Sequence, residues 1–254
     1  MQISVITVTF NCASVIQDCI SSVAGQTHSD IEHIVIDGKS TDGTVEILKE
    51  HMDSLAVLVS EPDNGIYDAM NKGIAFASGD IIGFLNADDF YAHDRVLEVV
   101  AKCFIGDPML DVCYADLMYV DQFDLTHTVR YWQSNSFVPG SFSCGWCPPH
   151  PTFFVRRSVY ERFGGFDLSY RIAADVELMM RLLEVHKLRV KYVPDVWVKM
   201  RMGGTTNKNW RNVWAQNQEV LRALKSHELS ANPLHFFAHK LWSRGLQFVR
   251  RPSG

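Results

Sequence analysis

Nowhere in these 254 residues does an apolar run reach the roughly 18 positions needed to cross a bilayer. The first residues, Met1-Gln2-Ile3-Ser4-Val5-Ile6, lack the basic flank and small-residue cleavage site of an export leader and read directly as a strand. A cytoplasmic setting is therefore expected, with the six cysteines held as thiols. Cys144-Gly-Trp-Cys147, followed by His150, lacks the second pair that a structural zinc site wants, so an ordinary loop is expected there. Positive charge is scarce before Lys199. From that residue on, ten Lys and Arg face only Glu219 and Glu228, although the whole chain carries −5. So acidic a body does not attract nucleic acid, and local devices must hold any anionic substrate. The basic tail suits an anionic ligand or a membrane surface.

The first half alternates short apolar runs with helical patterns. Strands are expected at Ile3–Thr9, His33–Asp37, Leu55–Ser60 and Ile81–Leu85. Between them, Ser14-Val-Ile-Gln17 resembles a capping box, Ser40-Thr-Asp-Gly43 opens a helix to His51, and Ile66–Ala77 is helical. Such alternation implies an α/β fold with a mostly parallel sheet, whose ligands bind beyond the carboxyl ends of the strands. Asn11, Asp37, Asp63, Asp88 and Asp89 would converge on that rim. The second half predicts strands at Val112–Val120, Thr128–Trp132, Pro151–Val155, Val190–Val193 and Val196–Met200. Helices are expected over Ala174–Val185, Trp210–Lys225 and Leu234–Arg250.

Asn86-Ala-Asp88-Asp89 places oxygen ligands directly after a buried strand. Magnesium or manganese takes such ligands and commonly shares them with substrate phosphates; the structural alternative is a cap on a following helix. Together, Thr7-Val-Thr9-Phe-Asn11, Val35-Ile-Asp37-Gly-Lys-Ser40-Thr-Asp42-Gly43-Thr44 and Asn86-Ala-Asp88-Asp89 resemble the family 2 glycosyltransferases. That resemblance implies the GT-A fold, in which a Rossmann-like nucleotide-binding half joins an acceptor-binding half. It spans about residues 3–205, dividing the chain into a catalytic domain over 1–205 (donor half 1–93, acceptor half 94–205) and a helical, basic extension over 206–254. Thr7, Thr9, Asn11 and Asp37 then line the nucleotide pocket, and the Glu61–Gly73 segment, with Asp63 and Asn71, lines the ribose and diphosphate. Many relatives carry Arg where Met70 stands, which makes Lys72 the substitute cation for phosphate. Asn86 replaces the leading Asp of the family's metal motif, leaving Asp88 or Asp89 to hold Mn2+ or Mg2+.

The resemblance also supplies a base. Ile172-Ala-Ala174-Asp175-Val-Glu177 follows Gly164-Gly165-Phe166-Asp167, as does the family's acidic segment. A sugar hydroxyl is a poor nucleophile, and a carboxylate that takes its proton serves inverting transfer. Asp175 is assigned that role; Glu177 competes for it or contacts the acceptor. His150 and Trp146, with Phe142, are expected along the acceptor cleft. Arg201, at the head of the glycine-bearing loop Arg201–Thr206, is expected on phosphate. The expected partners are thus a nucleotide-sugar donor and a glycan or lipid-linked glycan acceptor. A sugar nucleotidyltransferase would show a glycine-rich loop after the first strand, where Thr9-Phe-Asn-Cys-Ala stands, and a mere nucleotide-sugar binder would lack the base or metal residues. The last helix, 234–251, sets Leu234, Phe237, Ala238, Leu241, Trp242, Phe248 and Val249 on one face. His239, Lys240, Ser243, Gln247, Arg250 and Arg251 occupy the other, and only Phe236 is misplaced. Such a helix suits a membrane interface, core docking or a partner subunit.

Overall fold

The computed structural model describes residues 1–202 and 210–249. The first half runs β1 (Ile3–Thr9), α1 (Ile16–Ala24), β2 (Ile31–Asp37), α2 (Thr44–Glu50), β3 (Val57–Ser60), α3 (Ile66–Phe76) and β4 (Ile81–Phe84). These four strands are parallel, in the order β3-β2-β1-β4. Every residue of β1 is buried, because helices cover both faces of the sheet. Ile6 and Val8 enter one apolar core, while Ile3 and Val5, one pleat away, enter the other. Each such side chain contributes about 1.5–3 kcal/mol by leaving water. Helix α3 lies hard against β1 at Gly73, where an added Cβ would stand 2.3 Å from Ile6 Cγ2.

The second half comprises β5 (Asp89–Tyr91), α4 (Val96–Gly106), β6 (Val112–Val120), β7 (Thr128–Trp132), β8 (Phe154–Arg156), α5 (Arg157–Phe163), α6 (Ala174–Met180), β9 (Val190–Arg201), α7 (Trp210–Ser226) and α8 (Pro233–Val249). It extends the sheet as β4-β8-β6-β9-β5, with β7 on β6. Here β8 runs antiparallel to both β4 and β6, while β6 and β9 are parallel, so the second half is mixed where the first is wholly parallel.

Several expectations change in detail. The expected box at Ser14 is not formed: α1 begins after Val15 without a side-chain cap. Asp88 and Asp89 cap no helix, since Asp89 opens β5 against β9 and the next helix starts at Val96. The two strands expected around Pro194-Asp195 are one, β9, whose register against β6 shifts between Tyr192 and Val196. A bulge is where a strand tolerates a proline that cannot donate to the ladder. The largest difference concerns α8. Phe236 is fully buried in the core, whereas Leu234, Leu241, Trp242 and Phe248 are 83%, 73%, 70% and 50% exposed. Helical periodicity separates two faces without saying which one turns inward. The loop beyond Met202 and the pair Arg250-Arg251 lie outside the described residues.

Candidate active site

Beyond the carboxyl ends of β1 and β4 opens a cavity of about 1080 Å³. Thr9, Asp63, Asn86, Asp88, Trp146, His150, Asp175 and Arg201, all singled out from sequence, line it. Thr9 ends β1 with its hydroxyl buried and unpartnered. Asp63 accepts from the Gly65 amide at 2.8 Å, and its carboxylate approaches Gly38 so closely that a Cβ there would meet Oδ2 at 2.6 Å.

The Asn86–Asp89 turn divides its labour. Asp88 lines the cavity, while Asp89 is fully buried behind it. Burial, then the neighbouring Asp88, pushes the Asp89 carboxyl well above the usual carboxylate range. Asn86 donates to Asp89 Oδ2 at 3.3 Å, leaving its own Oδ1 buried without a partner. The Asp88 carboxylate and the orphaned Asn86 oxygen form a donor set that fits a hard divalent cation. Among the described residues no group of three or more His, Cys, Asp or Glu gathers as a metal site. Arg201 braces this turn: it donates to the Asp88 carbonyl at 3.0 Å, pairs with Asp18 and lies over the Phe90 ring.

Asp175 stands in the first turn of α6, where the helix dipole favours a carboxylate. The Tyr67 hydroxyl lies 3.0 Å from its Oδ1 and 2.9 Å from the Ile172 carbonyl, so one proton is shared between two acceptors. Glu219 of α7 holds the chain just before α6, accepting from the amides of Arg171, Ile172 and Ala173 at 2.9–3.0 Å. Neither Tyr67 nor Glu219 was assigned from sequence, because their partners lie 108 and about 47 positions away. His150, on the same wall, stacks on Phe84 with its Nε2 buried and unpartnered. Burial pushes its imidazole down, against the pull of Asp175. Trp146 donates to Asn135 at 2.7 Å. Phe142, expected beside it as a sugar platform, is 1% exposed and packs into the core.

Other expected residues are occupied elsewhere. Thr7 is fully buried, its hydroxyl 3.0 Å from His33 Nε2, and Asn71 exchanges two hydrogen bonds with the Phe166 backbone. Asp37 accepts from the Ser40 amide and hydroxyl and from the Ser60 hydroxyl, tying the ends of β2 and β3 together. Asn11, in the left-handed region at φ 52°, receives the Thr41 amide on its side chain and donates its own amide to Ser40. Lys72 is bound by Glu61 at 2.8 Å. Glu177, 2% exposed, pairs with Arg181 and His227. None of these six lines the cavity.

A parallel first half, a mixed second half and a cavity at their junction define the GT-A architecture. Residues 4–162 match Glycosyl transferase family 2, and the chain belongs to that family as a glycosyltransferase. A PGL/p-HBAD biosynthesis glycosyltransferase of Mycobacterium bovis is 32% identical over 209 residues, covering 80% of this chain and 78% of that one. Among solved structures, TarS 1-349 of S. aureus in complex with UDP-GlcNAc superposes with a TM-score of 0.66 at 19% identity, over 94% of this chain and 70% of that one. Against the longer TarS structure, this chain spans 43% of the length. The mannosyltransferase PcManGT of Pyrobaculum calidifontis, in complex with GDP-Man and Mn2+, has a TM-score of 0.65 at 20% identity, over 96% and 72% of the two chains. Likeness at that identity speaks for the fold.

Proposed function

We propose that this glycosyltransferase moves a sugar, with inversion, from a nucleotide-sugar to a hydroxyl of a glycan or lipid-linked glycan. The observation that carries the reading is that Asp88 and Asp175, about 87 positions apart, line one cavity. Asp88, with the Asn86 side-chain oxygen, would hold Mn2+ or Mg2+ on the donor's diphosphate, and the bound ion supplies charge neutralisation to the leaving group. Asp88 rather than Asp89 takes this role, because Asp89 lies behind the wall and organises Asn86. Thr9 and Asp63 serve the nucleotide, while Trp146 and His150 bound the acceptor side.

Asp175 accepts the proton of the acceptor hydroxyl as that oxygen attacks the anomeric carbon. The bond from the anomeric carbon to the diphosphate oxygen breaks, and its electron pair leaves with the nucleoside diphosphate. Tyr67 orients the carboxylate through its hydrogen bond, and Glu219 fixes the turn that presents it. A general base of this kind contributes about 10²–10⁴ in rate.

For localisation we infer peripheral contact with a lipid surface through α8. No helix among the described residues is long and apolar enough to cross a membrane. The exposed Leu234 and Leu241 instead suit an interface, and the sequence after Glu228 holds no acid that would repel an anionic leaflet.

A panel of nucleotide-sugars with and without Mn2+, read as thermal stabilisation, tests the donor reading. The true donor at about 100-fold its Kd adds about 2.7 kcal/mol, and Asp88→Ala abolishes the manganese-dependent part. Stabilisation equal in both proteins and indifferent to Mn2+ would remove Asp88 from the site. Pyrophosphate as the released product would point to nucleotidyl transfer instead.

A further inference from the structure

Helix α8 turns its polar face into the cavity, so Lys240 and Arg244 line the wall together with Arg130 of β7. Among the described residues none of the three has a carboxylate partner. Arg130 is the most constrained. It is 8% exposed, its guanidinium sits 4.2 Å over the Tyr119 ring with Trp132 and Phe248 at 5.8 and 6.0 Å, and its Nε is buried without a hydrogen-bond partner. Lys240 has only neutral partners, Asn217 Oδ1 at 2.6 Å and the Phe236 ring at 5.3 Å. The cations also act against one another: burial, then the charge of Arg244, pushes the Lys240 ammonium down, and burial with Arg244 does the same to Arg130.

Gathering like charges in a partly desolvated wall is costly unless a ligand supplies the opposite sign. The aromatic cradle fixes the guanidinium plane and leaves Nε with nothing to donate to. The neighbours bracket the position of the cluster. Asn86 and Asp88 of the metal-motif turn and the base candidate Asp175 line the same cavity as the three cations. The cations expected from sequence are engaged elsewhere, Lys72 with Glu61 and Arg201 with Asp18.

We propose that Arg130, Lys240 and Arg244 form an anion subsite that takes a phosphate group of a substrate. Guanidinium groups recognise phosphate oxygens with directed, charge-assisted hydrogen bonds, and a lysine adds a point charge. The phosphate has two sources, the diphosphate of the donor or a phosphate ester carried by the acceptor. The chemistry at the subsite is the same for both. Assignment of the two sources rests on the transferase reading above; the anion site itself does not.

Calorimetry on the full chain separates these cases. UDP, GDP, the free nucleosides and inorganic phosphate are titrated into wild type, Arg130→Gln and Arg244→Gln, with Lys240→Gln as a third variant because Arg130 is buried. If the donor diphosphate occupies the subsite, the variants bind whichever nucleoside diphosphate the wild type prefers about tenfold or more weakly, and bind its nucleoside unchanged. If an acceptor phosphate occupies it, nucleoside diphosphate affinity stays as in wild type, while phosphate binding to the nucleotide-saturated protein is lost. Wild-type affinities for both ligands in all three variants, folded by circular dichroism, would overturn the subsite. A wild type that binds phosphate through these residues but no nucleoside diphosphate would uphold the subsite and count against the transferase reading alone.

Discussion

His33 shows how a single core residue couples this fold to pH. Burial in β2, beside the Thr7 hydroxyl, pushes its imidazole down to about 4. In the unfolded chain the group titrates near 6.5. Between these values the unfolded chain binds a proton that the folded one refuses. The stability is therefore fully present above about pH 6.5 and is lost as pH falls toward about 4. The difference amounts to about 3 kcal/mol. Urea unfolding of wild type and His33→Gln at about pH 7 and about pH 4.5 checks this, with a smaller acid loss expected in the variant. An equal loss in both would place the sensitivity elsewhere. At this scale the sequence was partly legible. The residues that mark strand ends, such as Thr9 and Asp88, reach the cavity, because in a parallel sheet those ends share a rim. Thr7, two positions earlier, was drawn inward by His33 and Cys19, whose partnership across strand and helix no local pattern announces.

Among the elements, most strands and helices follow from apolar runs and helical spacing, with α3, β6 and β7 near their expected bounds. The three-residue strand β5 was illegible because only its pairing with β9 makes it a strand. Helix α8 was legible as amphipathic, but which of its faces turns inward was not. Its seating depends on Phe236 and on a polar cavity that needed a wall, and both are tertiary facts. The proposed lipid contact rests on the exposed Leu234 and Leu241 of this helix. Leu234→Ser with Leu241→Ser is expected to cut co-flotation with anionic phosphatidylglycerol vesicles severalfold and to leave circular dichroism unchanged. Flotation equal to wild type would dispose of the membrane role, while a loss of helix signal would show that the face stabilises the fold.

Across the whole molecule, the order β3-β2-β1-β4-β8-β6-β9-β5 brings the acids of the first half and the base candidate of the second to one cavity. Motif order along the chain made that convergence legible. The residues that hold the site in shape, Tyr67 and Glu219, and the cations on its wall were hidden, since each acts across a long stretch of sequence. The central claim is that Asp175 takes the acceptor proton while the donor is held independently by the Asp88 end. The most direct measurement compares Asp175→Asn with wild type, using the donor found by the nucleotide-sugar panel. Sugar transfer per bound donor should fall about 10²–10⁴-fold while donor affinity stays within about threefold. Full transfer by Asp175→Asn, with donor bound as in wild type, would contradict the account.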